Sequence, residues 1–232
     1  MRLFLFRIVT TLHPIPAVLW LDMTTTADKL ESTIALVETT KTAARVEKID
    51  RALAMRQPGL VVVIENIHDP HNFNAILRSC DAVGVLRVCM LYYIEKMPRL
   101  APTTSSGAYK WMEVERYRSV EECFGTLKAE GLRILGTKLN PSAKALHTHD
   151  LTQPTAIVMG NEHRGISSEA ERLADDLIYI PMLGMAESLN VSVATAVTLF
   201  EAMRQRKKAG MYDRPQLSPE ALRSKKLEWL TK

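Results

Sequence analysis

The chain has 232 residues, 47% of them hydrophobic and 24% charged, which is ordinary for a globular protein and enough for a self-supporting core. A formal net charge of +4 leans toward a polyanionic partner without specifying one, and 6% aromatic residues exclude a surface built mainly from base-stacking platforms. Cys80, Cys89 and Cys123 are scattered and form no C-x-x-C pair, which sets aside a disulfide framework and points to a reducing, cytoplasmic setting; no apolar run approaches the roughly 18 residues of a membrane helix.

Residues 1–40 read as a leader, disordered or preceding a true start at Met23. The apolar stretch Met1–Val9 is broken by Arg7, followed closely by Pro14 and Pro16, and lacks a small-x-small cleavage site, so it makes a poor secretory signal. Lys41–Arg56 places Val46, Ile49 and Leu53 at helical spacing, with Arg45, Lys48, Arg51 and Arg56 between them; Pro58-Gly59 stops that helix. Leu60–Ile64 is an unbroken apolar run, the mark of a strand covered on both faces. A polar loop, a helix over Phe73–Val83 closed by Gly84, and strands at Leu86–Leu91 and Trp111–Tyr117 follow. Next come a helix over Ser119–Glu130, strands at Leu132–Thr137, Ala156–Met159 and Leu177–Ile180, and a helix over Ser168–Ala174 between the last two. A long helix spans Leu189–Arg206 and ends in a basic tail. After a linker at Gly210–Gln216, Ser218 caps a last helix with Pro219 at its first position. Its Leu222, Leu227, Trp229 and Leu230 need covering, by a second subunit or by the body of the domain. The alternation predicts an α/β fold with a mostly parallel sheet flanked by helices, plus terminal helices.

Several nucleotide chemistries are absent. No G-x-G-x-x-G follows any strand, which excludes a dinucleotide site and a glycine-rich cofactor loop. Gly160 and Gly165 have the spacing of a phosphate-binding loop, but Ile166 stands where its lysine must be. The pairs His68/His71 and His147/His149 lack a third ligand at a metal-site spacing, so no metal is expected. What remains is a parallel sheet with no phosphate cradle, suited to a ligand held by backbone loops.

Three segments carry a resemblance: Ile67–Val85 (IHDPHNFNAILRSCDAVGV), Ile157–Ser167 (IVMGNEHRGIS) and Ile180–Ala196 (IPMLGMAESLNVSVATA). In order, spacing and placement after strands they resemble the motifs of the SpoU-type RNA 2′-O-methyltransferases of the SPOUT superfamily, over about Val46–Tyr212. Ala54–Pro58, Thr104–Trp111 and Arg204–Tyr212 look like the branch that methylates a guanosine in the tRNA D-loop. The resemblance implies a domain over 41–212 with a C-terminal deep trefoil knot and a helical extension over 213–232. It also implies S-adenosylmethionine as cofactor, a homodimer with the site at its interface, and tRNA or rRNA as substrate.

By the same correspondence the catalytic set is Asn72, Arg78, Glu162, Ser188 and Asn190, with Arg78 engaging the target phosphate and ribose. Asn72 and Arg78 need not share a helical face; placed in the loop before the helix, Asn72 would orient Arg78 from outside. A guanidinium stays protonated, which favours a positioning role with the proton leaving to substrate phosphate or water. Thr137, Gly160, Ile180 and Leu189 would line the cofactor pocket, largely through backbone. Gly160 would let backbone approach the ligand, and free amides at the start of the long helix would receive its carboxylate. Arg45, Lys48, Arg51, Arg56, Lys110, Arg204, Arg206, Lys207 and Lys208 are the expected RNA contacts. The alternatives are an rRNA enzyme of the same family and a non-catalytic RNA-binding relative.

Overall fold

Leu60, Val61, Val62, Val63 and Ile64 are all 0% exposed, as an unbroken apolar strand covered on both faces should be. They lie in β1 (Gln57–Glu65) of a computed structural model that describes residues 27–98 and 107–232. The other strands are β2 (Val85–Leu91), β3 (Glu113–Tyr117), β4 (Arg133–Thr137), β5 (Lys144–Ala145), β6 (Thr155–Met159) and β7 (Asp176–Tyr179). They form one seven-stranded sheet in the order β3-β2-β1-β6-β4-β7-β5, and every pairing is parallel. Crossovers between parallel strands lay helices on the sheet faces. Leu60, Val62 and Ile64 pack with α3 (Pro70–Ala82) and α6 (Val191–Lys208). Val61 and Val63 pack on the opposite side with α4 (Val120–Ala129) and α5 (Ser168–Leu173), the period of two that a strand imposes. Each such side chain contributes about 1.5–3 kcal/mol by leaving water.

A third cluster joins α1 (Ala27–Glu38), α2 (Ala43–Ala54) and α7 (Pro219–Leu230) through Ile34, Ile49, Leu53, Trp229 and Leu230. Thr42 and Ser218 cap α2 and α7, accepting from the amides of Arg45 and Ala221. Lys226 ties the three helices by reaching Glu38 at 2.6 Å and Asp50 at 2.8 Å. Trp229 and Leu230 of the last helix are therefore covered within the chain, with Leu222 and Leu227 packed against the same cluster.

Four features depart from the sequence expectation. The segment read as a leader holds α1, whose Ile34 is buried. The leader's first 26 residues, with the Met1–Val9 and Met23 readings, lie outside the described residues, as does the Thr104–Ser106 part of the branch motif. The strand expected from Trp111 starts at Glu113, because Ala108–Trp111 forms a single 3-10 turn. The two-residue β5 was too short to leave a pattern. Finally α3 starts at Pro70, capped by Asp69, so Asn72 lies in its first turn rather than in the preceding loop.

Candidate active site

The adjacent strands β1, β6, β4 and β7 are parallel, so the loops leaving their C-terminal ends meet at one edge of the sheet. Asn66, just after β1, has φ of 50°, a left-handed conformation that asparagine tolerates. Its Oδ1 accepts from the amides of Tyr93, Ile94 and Glu95 at 3.1, 3.0 and 3.2 Å, and its carbonyl accepts from Asn161 Nδ2 at 2.7 Å. Glu65, 1% exposed, accepts from the Tyr93 hydroxyl at 2.5 Å and the Ser167 amide at 3.1 Å. The loops after β1, β2 and β6 are thus fastened together before any ligand arrives.

Glu162 is the hub of this arrangement. Its Oε2 accepts from the His68 amide at 3.0 Å, and its Oε1 from the Asp69 amide at 3.2 Å and Asn72 Nδ2 at 2.9 Å. Burial pushes its carboxyl up, but the bonds from Asn72 and from the amides outweigh that and hold it below the usual carboxylate range. Glu162 is therefore an ionised acceptor at neutral pH, unsuited to giving a proton. Asn72 extends the chain of contacts, its Oδ1 accepting from Asn190 Nδ2 at 3.0 Å. Asn190 in turn caps α6, its Oδ1 accepting from the Ser192 and Val193 amides at 2.9 and 3.4 Å and from the Ser192 hydroxyl at 2.6 Å. Two of the helix amides expected to face a ligand carboxylate are consumed by this cap, which corrects that expectation.

One cavity of about 530 Å³ opens beside these residues. It is lined by Thr137, Gly160, Ile180 and Leu189, the four residues expected to hold a cofactor, and by Glu162, Ser188 and Asn190 of the expected catalytic set. Its size falls in the range of small-molecule sites, about 300–1,000 Å³. The Thr137 hydroxyl donates to the Val158 carbonyl at 2.7 Å and so is committed to the sheet. Gly160 has a different reason than the one expected: a Cβ there would stand 2.2 Å from both Gly165 C and Ile166 N. The absent side chain lets the loop close on itself, sealed by the Asn161–Gly165 bridge, rather than admitting a ligand. Lys138, Leu146 and Tyr179 also line the cavity and lie outside the motif segments; Arg164, inside the second segment, lines it too but was not singled out.

Arg78 is elsewhere. Six residues past Asn72 on α3, it lies about 9 Å further along the axis and on another face. It is exposed, does not contact Asn72, and lines a second cleft of about 330 Å³ with Arg45, Lys48, Arg56, Trp111 and Trp229. Arg45 stands 5.7 Å from the Trp111 ring and Arg56 4.9 Å from the Trp229 ring. Lys48, Arg51, Lys207 and Lys208 are exposed, Lys110 is half-buried, and Arg204 is exposed but held by Glu201 at 2.7 Å.

Two of the expected RNA contacts are corrected. Arg206 is 1% exposed and donates to the carbonyls of Leu151, Gly59 and Gln153 and to Gln57 Oε1, bolting α6 to the base of β1. Arg56 is 3% exposed, donating to Val85 O at 2.9 Å and Asp81 at 2.5 Å. Both guanidiniums are committed to acceptors within the chain; their periodic placement among surface cations disguised them. Among the described residues no group of three or more His, Cys, Asp or Glu could hold a metal ion.

Residues 59–200 match the model of the SpoU rRNA Methylase family. The chain belongs to the SpoU methylase family. This SpoU chain is 47% identical to a tRNA (guanosine(18)-2'-O)-methyltransferase of Thermus thermophilus over 192 residues, 83% of this chain and 98% of that enzyme. It is 45% identical to the Escherichia coli K12 enzyme of the same name, over 76% of this chain and 77% of the other. The solved A. aeolicus TrmH/SpoU tRNA modifying enzyme superposes with a TM-score of 0.76 at 38% identity, covering 84% of this chain and 97% of that one. The SpoU methyltransferase AviRb from Streptomyces viridochromogenes, in complex with AdoMet, superposes with a TM-score of 0.58 at 27% identity, covering 67% and 62%.

Proposed function

We propose that this chain transfers a methyl group from S-adenosylmethionine to the ribose 2′-oxygen of guanosine 18 in tRNA. The reading rests on one cavity gathering Thr137, Gly160, Ile180 and Leu189 with Glu162, Ser188 and Asn190, together with the named activity of its relatives. The cofactor brings an already activated methyl group on a sulfonium, so the protein's task is alignment and charge placement. Glu162, Asn72 and Asn190 lock the β1, β6 and α6 junctions into one rim. Ser188, exposed at that rim, meets the nucleotide. Arg78 holds the target's phosphate as a permanent cation, and the 2′-hydroxyl proton leaves to that phosphate or to water.

Because Arg78 lines a different cleft, we infer a composite site in a homodimer, one protomer supplying the cavity and its partner Arg78. The exposed stripe Leu189, Val193, Val197 and Phe200 on and before α6, 36–47% exposed, supports a second copy covering that face. The basic cleft, with Arg45, Lys48 and Arg78, then carries RNA phosphate. A deep trefoil knot is part of the same reading and rests on the likeness to the SpoU family alone. The three free cysteines are buried, which suits a reducing cytoplasm.

The deciding experiment incubates the protein with the cofactor and with tRNA or rRNA transcripts, then maps ribose methylation by mass spectrometry. The expected product is 2′-O-methylguanosine at position 18 of tRNA. Methylation of rRNA alone would replace the proposal with the rRNA reading, and none on either would favour a non-catalytic relative.

A further inference from the structure

The catalytic rim has a clasp whose central residue, Glu95, lies outside the motif segments. Glu95, in the segment after β2, is 20% exposed and sits between two more exposed cations. Its Oε1 pairs with Arg164 at 2.6 Å and its Oε2 with His68 Nδ1 at 3.0 Å. Its own amide is anchored on Asn66 Oδ1 at 3.2 Å. Arg164 lies two residues past Glu162 on the cavity wall, and the amide of His68 donates to Glu162. His68 is thus gripped at its ring by Glu95 and at its backbone by Glu162.

We propose that Glu95 is a positioning residue which, by holding His68 and Arg164 at once, fixes the loop bearing Glu162 against the loop bearing Asn72. The inference rests on the reading that Glu162 and Asn72 serve methyl transfer. Exposed ion pairs add little to global stability. What this one controls is the relative placement of two loops that share the site.

The clasp has a pH dependence of predictable sign. The groups facing His68 are Glu95, Glu162 and Asp69, all acidic, with Arg164 on the far oxygen of Glu95. The hydrogen bond and charge of Glu95, and then the charges of Glu162 and Asp69, hold the ring protonated to higher pH than an ordinary histidine, against some desolvation. The clasp is therefore tightest below that raised value and loosens as pH rises through it.

Steady-state methyl transfer by the full chain, as wild type, Glu95→Gln, His68→Gln and Glu162→Ala, tests this from pH 6 to 9. Glu95→Gln should lower kcat/KM about tenfold at pH 6 and only about threefold at pH 9, since charge-assisted bonds are roughly twice as strong as neutral ones. Its melting temperature should stay within a few degrees of wild type. His68→Gln should remove the pH dependence of the wild-type advantage; should Glu95→Gln be insoluble, that variant decides alone. A loss equal at all pH values would mark a plain structural role and overturn the clasp, as would wild-type turnover beside an inactive Glu162→Ala. If Glu162→Ala itself turns over normally, it is the reading of the site that fails.

Discussion

Asn72 Nδ2 donates to Glu162 Oε1 across 2.9 Å, joining residues 90 positions apart in the chain. The Asn72 carbonyl oxygen meanwhile accepts from Asn190, so one amide serves as donor to one loop and acceptor from another. No other side chain of similar size offers both functions in one plane.

Asn72→Asp tests that dual role. The replacement keeps the shape and the acceptor toward Asn190, but sets a second carboxylate against Glu162, where like charges oppose each other. Methyl transfer should fall at least about 100-fold, near 3 kcal/mol of transition-state stabilisation. Asn72→Ala, which loses both bonds without adding a charge, should fall less. Single-turnover assays with saturating cofactor make the comparison, and an active Asn72→Asp would remove Asn72 from the proposed site.

Arg78→Ala should abolish turnover while leaving cofactor binding within about twofold of wild type by calorimetry, because Arg78 lies outside the cavity proposed for the cofactor. If the site is shared between protomers, mixing Arg78→Ala with an inactive Asn190→Ala should restore activity in the heterodimer, which forms one intact site. Absence of complementation after verified subunit exchange would place the whole site within one chain.

The basic residues should separate into two classes. Arg206→Met strips four acceptors of their donor in the interior, and the cost of buried unsatisfied groups predicts a loss of about 3 kcal/mol in denaturant unfolding. Lys207→Gln with Lys208→Gln, both on the exposed end of α6, should leave stability unchanged but weaken tRNA binding. The slope of log affinity against log salt should fall by roughly 1–2. Equal stability losses in both variants would reject the division.

Much of this architecture was legible because strand burial leaves a local trace. The run Leu60–Ile64 announced a central strand, and Ser218-Pro219 announced the start of a helix. Thr137, Gly160, Ile180 and Leu189, expected at a cofactor through motif resemblance, all line one cavity. What could not be read was which cation is buried. Arg206 sits between Gln205 and Lys207 in a basic tail, and its acceptors come from residues 53 to 149 positions away. Glu95 was equally silent, since its partners His68 and Arg164 belong to other loops. Long-range pairing of polar groups has no periodicity to betray it.

Glu162 yields the last prediction, with a sign that runs opposite to that of His68. Its carboxyl is held below the ordinary glutamate value of about 4.3 although burial opposes this, because three donors favour the ionised form. A depressed value stabilises the fold above the unfolded-state pKa, and the contribution disappears as pH falls through the lowered value. The wild-type melting temperature should therefore drop below about pH 4.5. Glu162→Gln, which cannot titrate, should start lower at pH 7 and converge on the wild type as the solution is acidified. Scanning both proteins from pH 7 to 3 by differential scanning fluorimetry makes the test; parallel curves would mean that the Glu162 carboxylate is not the anchor its three hydrogen bonds describe.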